Sequence, residues 1–109
     1  MPPKTALTHT SALILQAVAS GYRYGLEIMN ATGLPSGTVY PALRRLEDSG
    51  FVRSRWERDD LAHRDQRPAR KYYEMRKPGE RALSEALERY RHLKGALPPL
   101  QPGTEPSRA

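Results

Sequence analysis

Two short, apolar-patterned segments that meet at Thr32-Gly33-Leu34-Pro35 constrain this chain more than any other feature. The first, Tyr24 to Thr32, sets Leu26, Ile28 and Met29 where they can form one buried face, and Gly33 suits the left-handed residue that closes a helix. The second begins at Leu34-Pro35-Ser36, repeats Val39, Leu43 and Leu46 at helical spacing with Ala42 beside them, and ends at Gly50. The first helix is so short that packing, not propensity, must hold it. A pair of helices joined by a tight, glycine-bearing turn is the sequence form of a helix-turn-helix, whose second helix offers its first residues to the major groove of DNA.

The flanking segments fit that frame. Upstream, Ala12, Leu13, Leu15, Ala17 and Val18 follow a hydroxyl cap candidate, Thr8 or Thr10, and stop at Ser20-Gly21, which predicts another helix. Downstream the period changes to two. Val52, Ser54 and Trp56 alternate with Phe51, Arg53 and Arg55, and a second such segment runs from Lys71 to Arg76. The charged stretch from Glu57 to Arg70 joins the two as the long tip of a β-hairpin, the geometry of a wing. Pro78-Gly79-Glu80 then opens a last helix, in which Leu83, Ala86, Tyr90, Leu93 and Leu97 form an a/d seam that Leu87 widens. The fold class expected is therefore mainly α with a small β-hairpin: a winged helix-turn-helix of three helices, a two-stranded wing and a C-terminal helix. Residues 1–7 are expected as a flexible lead, 8–77 as the winged domain, 78–97 as a dimerisation helix and 98–109 as a disordered proline-rich tail. Pro41, within the first two turns of the third helix, predicts a local distortion.

Composition narrows the function. At 109 residues the chain is expected to be one domain. It has no cysteine, which removes disulfides, thiolate zinc sites and cysteine nucleophiles together. His9, His63 and His92 are scattered and show no metal-ligand spacing, and there is no nucleophile elbow, P-loop or dinucleotide fingerprint. The expectation is a protein that is not an enzyme, needs no cofactor or metal, has no membrane span or signal peptide and works in the cytoplasm. The net charge of +6, carried mostly by arginine, suits a partner rich in phosphate.

Ser36, Gly37, Thr38 and Tyr40 stand at the start of the third helix, as small hydroxyls, an approachable backbone and an aromatic hydroxyl. Arg44 and Arg45 follow one turn later, where phosphates would run. Each has a plainer reading as well: Ser36 as a helix cap, Tyr40 packed against the second helix, and the arginines as a solvated face. On the wing, Arg67-Pro68-Ala69-Arg70-Lys71 groups three cations that can enter a minor groove or grip its phosphates. Asp59, Asp60 and Asp65 in the same loop would repel DNA, so only its C-terminal side is a candidate contact. Tyr72 and Tyr73 point to opposite faces, one of them into the core. Trp56, Tyr90, Leu83 and Leu93 are candidates to line an apolar dimer cavity, or simply to fill core and interface. The rival function is a winged helix that binds protein, since folds do not fix functions. RNA binding is disfavoured because no aromatic stacking platform is visible.

Several stretches together resemble the PadR family of bacterial transcriptional regulators. They are Tyr24-Gly25-Leu26-Glu27-Ile28, the run from Leu34 to Glu47 containing Gly37-Thr38-Val39-Tyr40-Pro41, Gly50-Phe51-Val52, and Arg67-Pro68-Ala69-Arg70-Lys71-Tyr72-Tyr73. The resemblance spans about Leu13 to Leu87. It implies a repressor that binds double-stranded, pseudo-palindromic operators as a homodimer. It adds Tyr24 to the DNA-contacting residues Ser36, Gly37, Thr38, Tyr40, Arg44, Arg67, Arg70 and Lys71. It also implies a dimer interface on the final helix at Leu83, Ala86, Leu87, Tyr90, Leu93 and Leu97, with a small aromatic or hydrophobic effector as a further partner, and it makes Pro41 a motif residue. Two departures stand out. Arg76-Lys77 takes the place of a hydroxyl cap before the last helix, at a cost of roughly 1 kcal/mol. The loop from Asp59 to Gln66 is longer and more acidic than in many relatives.

Overall fold

The computed structural model describes residues 7–58 and 63–95. Thr8 caps the first helix, α1 (His9–Ala19), its hydroxyl accepting the Ser11 N–H at 3.1 Å. Helix α2 (Gly25–Thr32) starts where Glu27 reaches back to the Arg23 N–H at 2.6 Å. It closes at Gly33, whose φ of 74° is the left-handed conformation and whose N–H bonds to the Met29 carbonyl. The Thr32 hydroxyl spans the turn, donating to the Ile28 carbonyl and accepting the Leu34 N–H. Helix α3 (Ser36–Asp48) follows at once, with Pro41 inside it. Strands β1 (Val52–Trp56) and β2 (Lys71–Met75) form an antiparallel hairpin, Val52 opposite Met75 and Trp56 opposite Lys71. Helix α4 (Lys77–Arg89) and a 3-10 turn (Arg91–Leu93) complete the described chain.

The core lies where α1 meets α2, α3, β2 and α4. Ile14, Leu15, Ile28, Val39, Leu43, Val52 and Leu93 are its fully buried large side chains. The residues ahead of α2 also tie the hairpin to the helices. Tyr24 pairs with Tyr72 along the free edge of β2, and the Tyr73 N–H donates to the Arg23 carbonyl at 2.7 Å. Tyr73 is the tyrosine that enters the core. At the other end of the hairpin, α4 starts hard against β1: a Cβ on Gly79 would stand 2.1 Å from the Phe51 carbonyl oxygen, which already accepts the Arg76 N–H.

Four expectations need correction. Leu26 does not share a buried face with Ile28; it is 54 % exposed, because residues two apart on a helix face different directions. Ser36 is not a cap: Pro35 occupies that position, and no side chain caps α3. Leu7 is buried, with its carbonyl accepting the Tyr90 hydroxyl, so the core begins inside the expected lead. Most consequentially, the last helix stops at Arg89. Tyr90 leaves helical geometry, and the turn after it carries Leu93 into the core, where Gln16 Nε2 donates to the Leu93 carbonyl at 2.7 Å. Leu83, Ala86 and Leu93, expected on an open seam, are buried inside the single chain because this chain supplies its own cover. Leu97, Asp59, Asp60 and the 98–109 tail lie outside the described residues.

Candidate nucleic-acid interface

Burial of Val39, Ala42, Leu43 and Leu46 fixes the rotation of α3, and so decides what it presents outward. Ser36, Gly37, Tyr40, Arg44 and Arg45 are exposed along that outer face, with Pro41 among them, while Thr38 is half-buried at its edge. Tyr40 satisfies both of its readings. Its phenol lies on Gly25, where an added Cβ would meet ring and hydroxyl atoms at 2.3 to 2.4 Å, and yet the residue stays 48 % exposed. Gly25 is thus a helix-to-ring contact point, and Gly37 is not: a Cβ on Gly37 would meet nothing within 4 Å.

Between the start of α2, the outer face of α3 and the C-terminal side of the wing lies a groove of about 670 Å³. It gathers six of the nine sequence-assigned DNA-contact residues: Tyr24, Tyr40, Arg44, Arg67, Arg70 and Lys71. Ser36, Gly37 and Thr38 are not among its lining; they occupy the N-terminal turn of α3. Leu26 and Trp56 also line the groove. Together with Tyr40 they are the exposed large hydrophobics of the described residues. Trp56, a candidate to line an apolar cavity with Tyr90, Leu83 and Leu93 or to fill core and interface, stands on this groove, while those three belong to the α4 side of the core.

The cations around the groove differ in what they are doing. Arg67 sets its guanidinium fork on Glu57, at 2.6 and 2.8 Å, and reaches Asp65 at 3.2 Å. Glu57 also accepts the Tyr72 hydroxyl at 3.0 Å and the Arg70 N–H at 3.3 Å. The Arg67 bond, aided by those two donors and opposed by burial, pulls the Glu57 carboxyl down to about 2, and the Arg67 guanidinium is held above its ordinary range in return. Arg67 therefore braces the base of the wing with its charge already matched. Lys71 Nζ lies 3.7 Å from Glu47, with the Trp56 and Tyr73 rings nearby at 5.6 and 5.9 Å. Glu47 also takes the Ser54 hydroxyl, and Tyr73 is pushed above its usual range, mainly by burial and then by Glu47.

Arg70 is held by a ring, not by a carboxylate: its guanidinium lies 4.3 Å from the centre of Tyr24. Tyr24 meets Tyr72 edge-on at 5.8 Å, and Arg23 covers Tyr72 at 5.3 Å. Two tyrosines thus carry an arginine at each end, with both positive charges left for an external anion. Arg23 was missed in the sequence, where its place beside Tyr24 was the only signal. Arg44 and Arg45 likewise form no ion pair among the described residues. Chemically, the face joins unpaired arginines, an exposed helix start and flat apolar side chains. That combination suits a polyanion with stacked bases, and nothing in it resembles a nucleophile with its base. Among the described residues there is no cluster of three or more metal-ligating side chains, and no helix is long and apolar enough to cross a membrane.

The model of the transcriptional regulator PadR-like family matches residues 14–85. Among solved structures, a PadR family transcription regulator from Clostridium difficile R20291 is 25 % identical, with a TM-score of 0.66 over 81 % of this chain and 93 % of that one. The smu.1704 protein of Streptococcus mutans UA159 is 26 % identical, with a TM-score of 0.63 over 78 % of each chain. A transcriptional regulator from Clostridium thermocellum shares the fold at 22 % identity, with a TM-score of 0.64 over 80 % of this chain and 84 % of that one. Comparison with curated proteins found no match. The chain belongs to the PadR-like family, with the mainly helical winged fold of its solved structures, and the function of that family is DNA-binding transcriptional regulation, not enzymatic catalysis.

Proposed function

We propose that this PadR-like chain is a cytoplasmic repressor that binds a pseudo-palindromic operator as a homodimer, with α3 in the major groove and the wing on the flanking backbone. The observation that carries this reading is the shared outward face of α3 and the wing: Gly37, Tyr40 and Arg44 on the helix, with Arg70 held on Tyr24 beside them. In this reading Ser36, Gly37, Thr38 and Tyr40 approach base edges, while Arg44, Arg45, Arg70 and Arg23 take phosphates. Arg67 and Lys71 act by shaping the wing, since carboxylates already occupy them. Leu83, Ala86 and Leu93 are already buried in the single chain, so in this reading the dimer contact falls on the half-buried Leu87 and Tyr90 and what surrounds them.

The test is binding to a labelled duplex from the region upstream of its own gene, titrated across a salt series beside an unrelated duplex. Affinity should fall linearly with salt on logarithmic axes, and Arg44→Ala should weaken binding to both duplexes and reduce the slope by about 1. Thr38→Ala should erase part of the preference for the specific duplex. Footprints on two half-sites about 10 base pairs apart, with a dimer by light scattering, support the two-fold arrangement. Binding to neither duplex at low salt, or Arg44→Ala and Thr38→Ala variants that behave as wild type, overturns the reading.

A further inference from the structure

His9, the first residue of α1, and His92, in the 3-10 turn, are 83 residues apart in sequence and meet with their Nε2 atoms 2.7 Å apart. Their ring planes differ by only 16°, and the ring centres are 4.8 Å apart. Two imidazoles in contact through these nitrogens can scarcely have their centres farther apart, so the rings meet edge to edge and do not lie face over face. The two nitrogens therefore face each other nearly head-on, in the geometry of an N–H on one ring donating to the nitrogen of the other. Both side chains are exposed, and neither lines the DNA-facing groove.

We propose that His9 and His92 form a two-histidine site for a borderline divalent transition-metal ion, Cu²⁺, Ni²⁺ or Zn²⁺, which replaces the shared proton and clamps the C-terminal turn to α1. Tetrahedral binding at the usual metal–nitrogen distance of about 2.0–2.1 Å needs the two nitrogens roughly 3.3 Å apart. Each ring must also swing about its side-chain bonds so that the two lone pairs meet at a tetrahedral angle, a movement open to two solvent-exposed side chains. Charge balance is simple: the Nε2 proton of the donor ring moves to its Nδ1, and both imidazoles bind neutral. The backbone beneath each ring is already anchored. The edge of Tyr90 meets the His9 ring at 5.4 Å, and the Gln16 amide holds the Leu93 carbonyl at 2.7 Å. The nearest cations in sequence, Arg91 and Lys94, are both turned to Glu88, at 3.6 and 3.7 Å. With two protein ligands, the other coordination positions belong to water, and imidazole donors favour these ions over Mg²⁺ or Ca²⁺.

The test uses the full chain and Cu²⁺ itself, with Zn²⁺ as a diamagnetic counterpart. One Cu²⁺ should bind per chain, with a paramagnetic resonance spectrum showing two equivalent imidazole nitrogens. His9→Ala and His92→Ala should each weaken that binding at least about tenfold, the effect of losing one ligand bond worth about 1.4 kcal/mol. Zn²⁺ should raise the melting temperature of the wild type and of neither variant, and binding should weaken on acidification as protons compete for the nitrogens. His63→Ala is the control and should bind as wild type. Because both histidines are exposed, the metal-free variants should melt close to wild type, which separates ligand loss from misfolding. A one-nitrogen spectrum, undiminished binding in either single variant, or binding lost only with His63 overturns the proposal.

Discussion

Gly37→Ala should make the protein more stable and a poorer DNA binder, and the opposed signs make it a sharp test of the interface. Gly37 is the second residue of α3, in a helical conformation, and an alanine methyl there would meet nothing within 4 Å. The chain itself therefore gives no steric reason for glycine at this position. Glycine within a helix is about 0.5–1 kcal/mol less favourable than alanine, because it loses more backbone freedom on folding. At the size of this chain, the substitution should raise the melting temperature by roughly 2–8 °C. If α3 lies against DNA with its backbone at van der Waals distance, the same methyl enters a filled contact. Overpacking of that kind costs about 1–3 kcal/mol, or roughly a fivefold to hundredfold loss of affinity. Thermal melting and anisotropy with the upstream duplex give the two numbers on one protein sample. A variant that melts higher and binds as wild type would take Gly37 off the interface. One that melts lower would refute the conformational premise.

Other glycines give different outcomes for reasons equally visible in the structure. Gly79→Ala puts a Cβ at 2.1 Å from a backbone oxygen that cannot swing away, so helix α4 must shift and the melting temperature should fall by on the order of 10 °C, despite alanine's better helix propensity. Gly25→Ala meets first the far end of the Tyr40 side chain, which can swing aside, so the fold should survive with about 1 kcal/mol lost while DNA affinity drops. Tyr40→Ala added to Gly25→Ala should then cost little more, since both remove the same ring from its place. The wing should also respond to acid. The folded-state carboxyl of Glu57 sits near 2, below its ordinary 4.5, so its contribution is complete above about pH 4.5 and is lost as the pH falls towards 2. Trp56, the single tryptophan, stands at the base of the wing, and its fluorescence should change across that acid window in wild type and not in Glu57→Gln.

The helix-turn-helix and the hairpin were legible because each rests on local signals: Gly33 at a helix end, Val39, Leu43 and Leu46 at helical spacing, and β-forming residues alternating around Trp56. The errors came where tertiary contacts overrode local pattern. The step from Leu83 through Ala86 and Tyr90 to Leu93 has an unbroken heptad rhythm, but the gain from burying Leu93 against α1 outweighs another helical turn. Arg67 and Arg70 look equivalent in the sequence. Only the fold shows one closed on Glu57 and the other laid open on Tyr24, because Glu57 and Tyr24 reach them from opposite edges of β2. The meeting of His9 with His92 had no local trace at all, being made by the turn that the heptad rhythm concealed.

That turn also sets a schedule for biosynthesis. A chain leaves the ribosome from its N-terminus at about 5–20 residues per second, and α1 emerges ahead of the other described helices. Its apolar face is completed by Leu83, Ala86 and finally Leu93, which belong to the last elements described. For several seconds in each round of translation, α1 waits with part of that face uncovered. The nascent protein in that interval is the form a chaperone would meet, and delivery of Leu93 is the event that ends it.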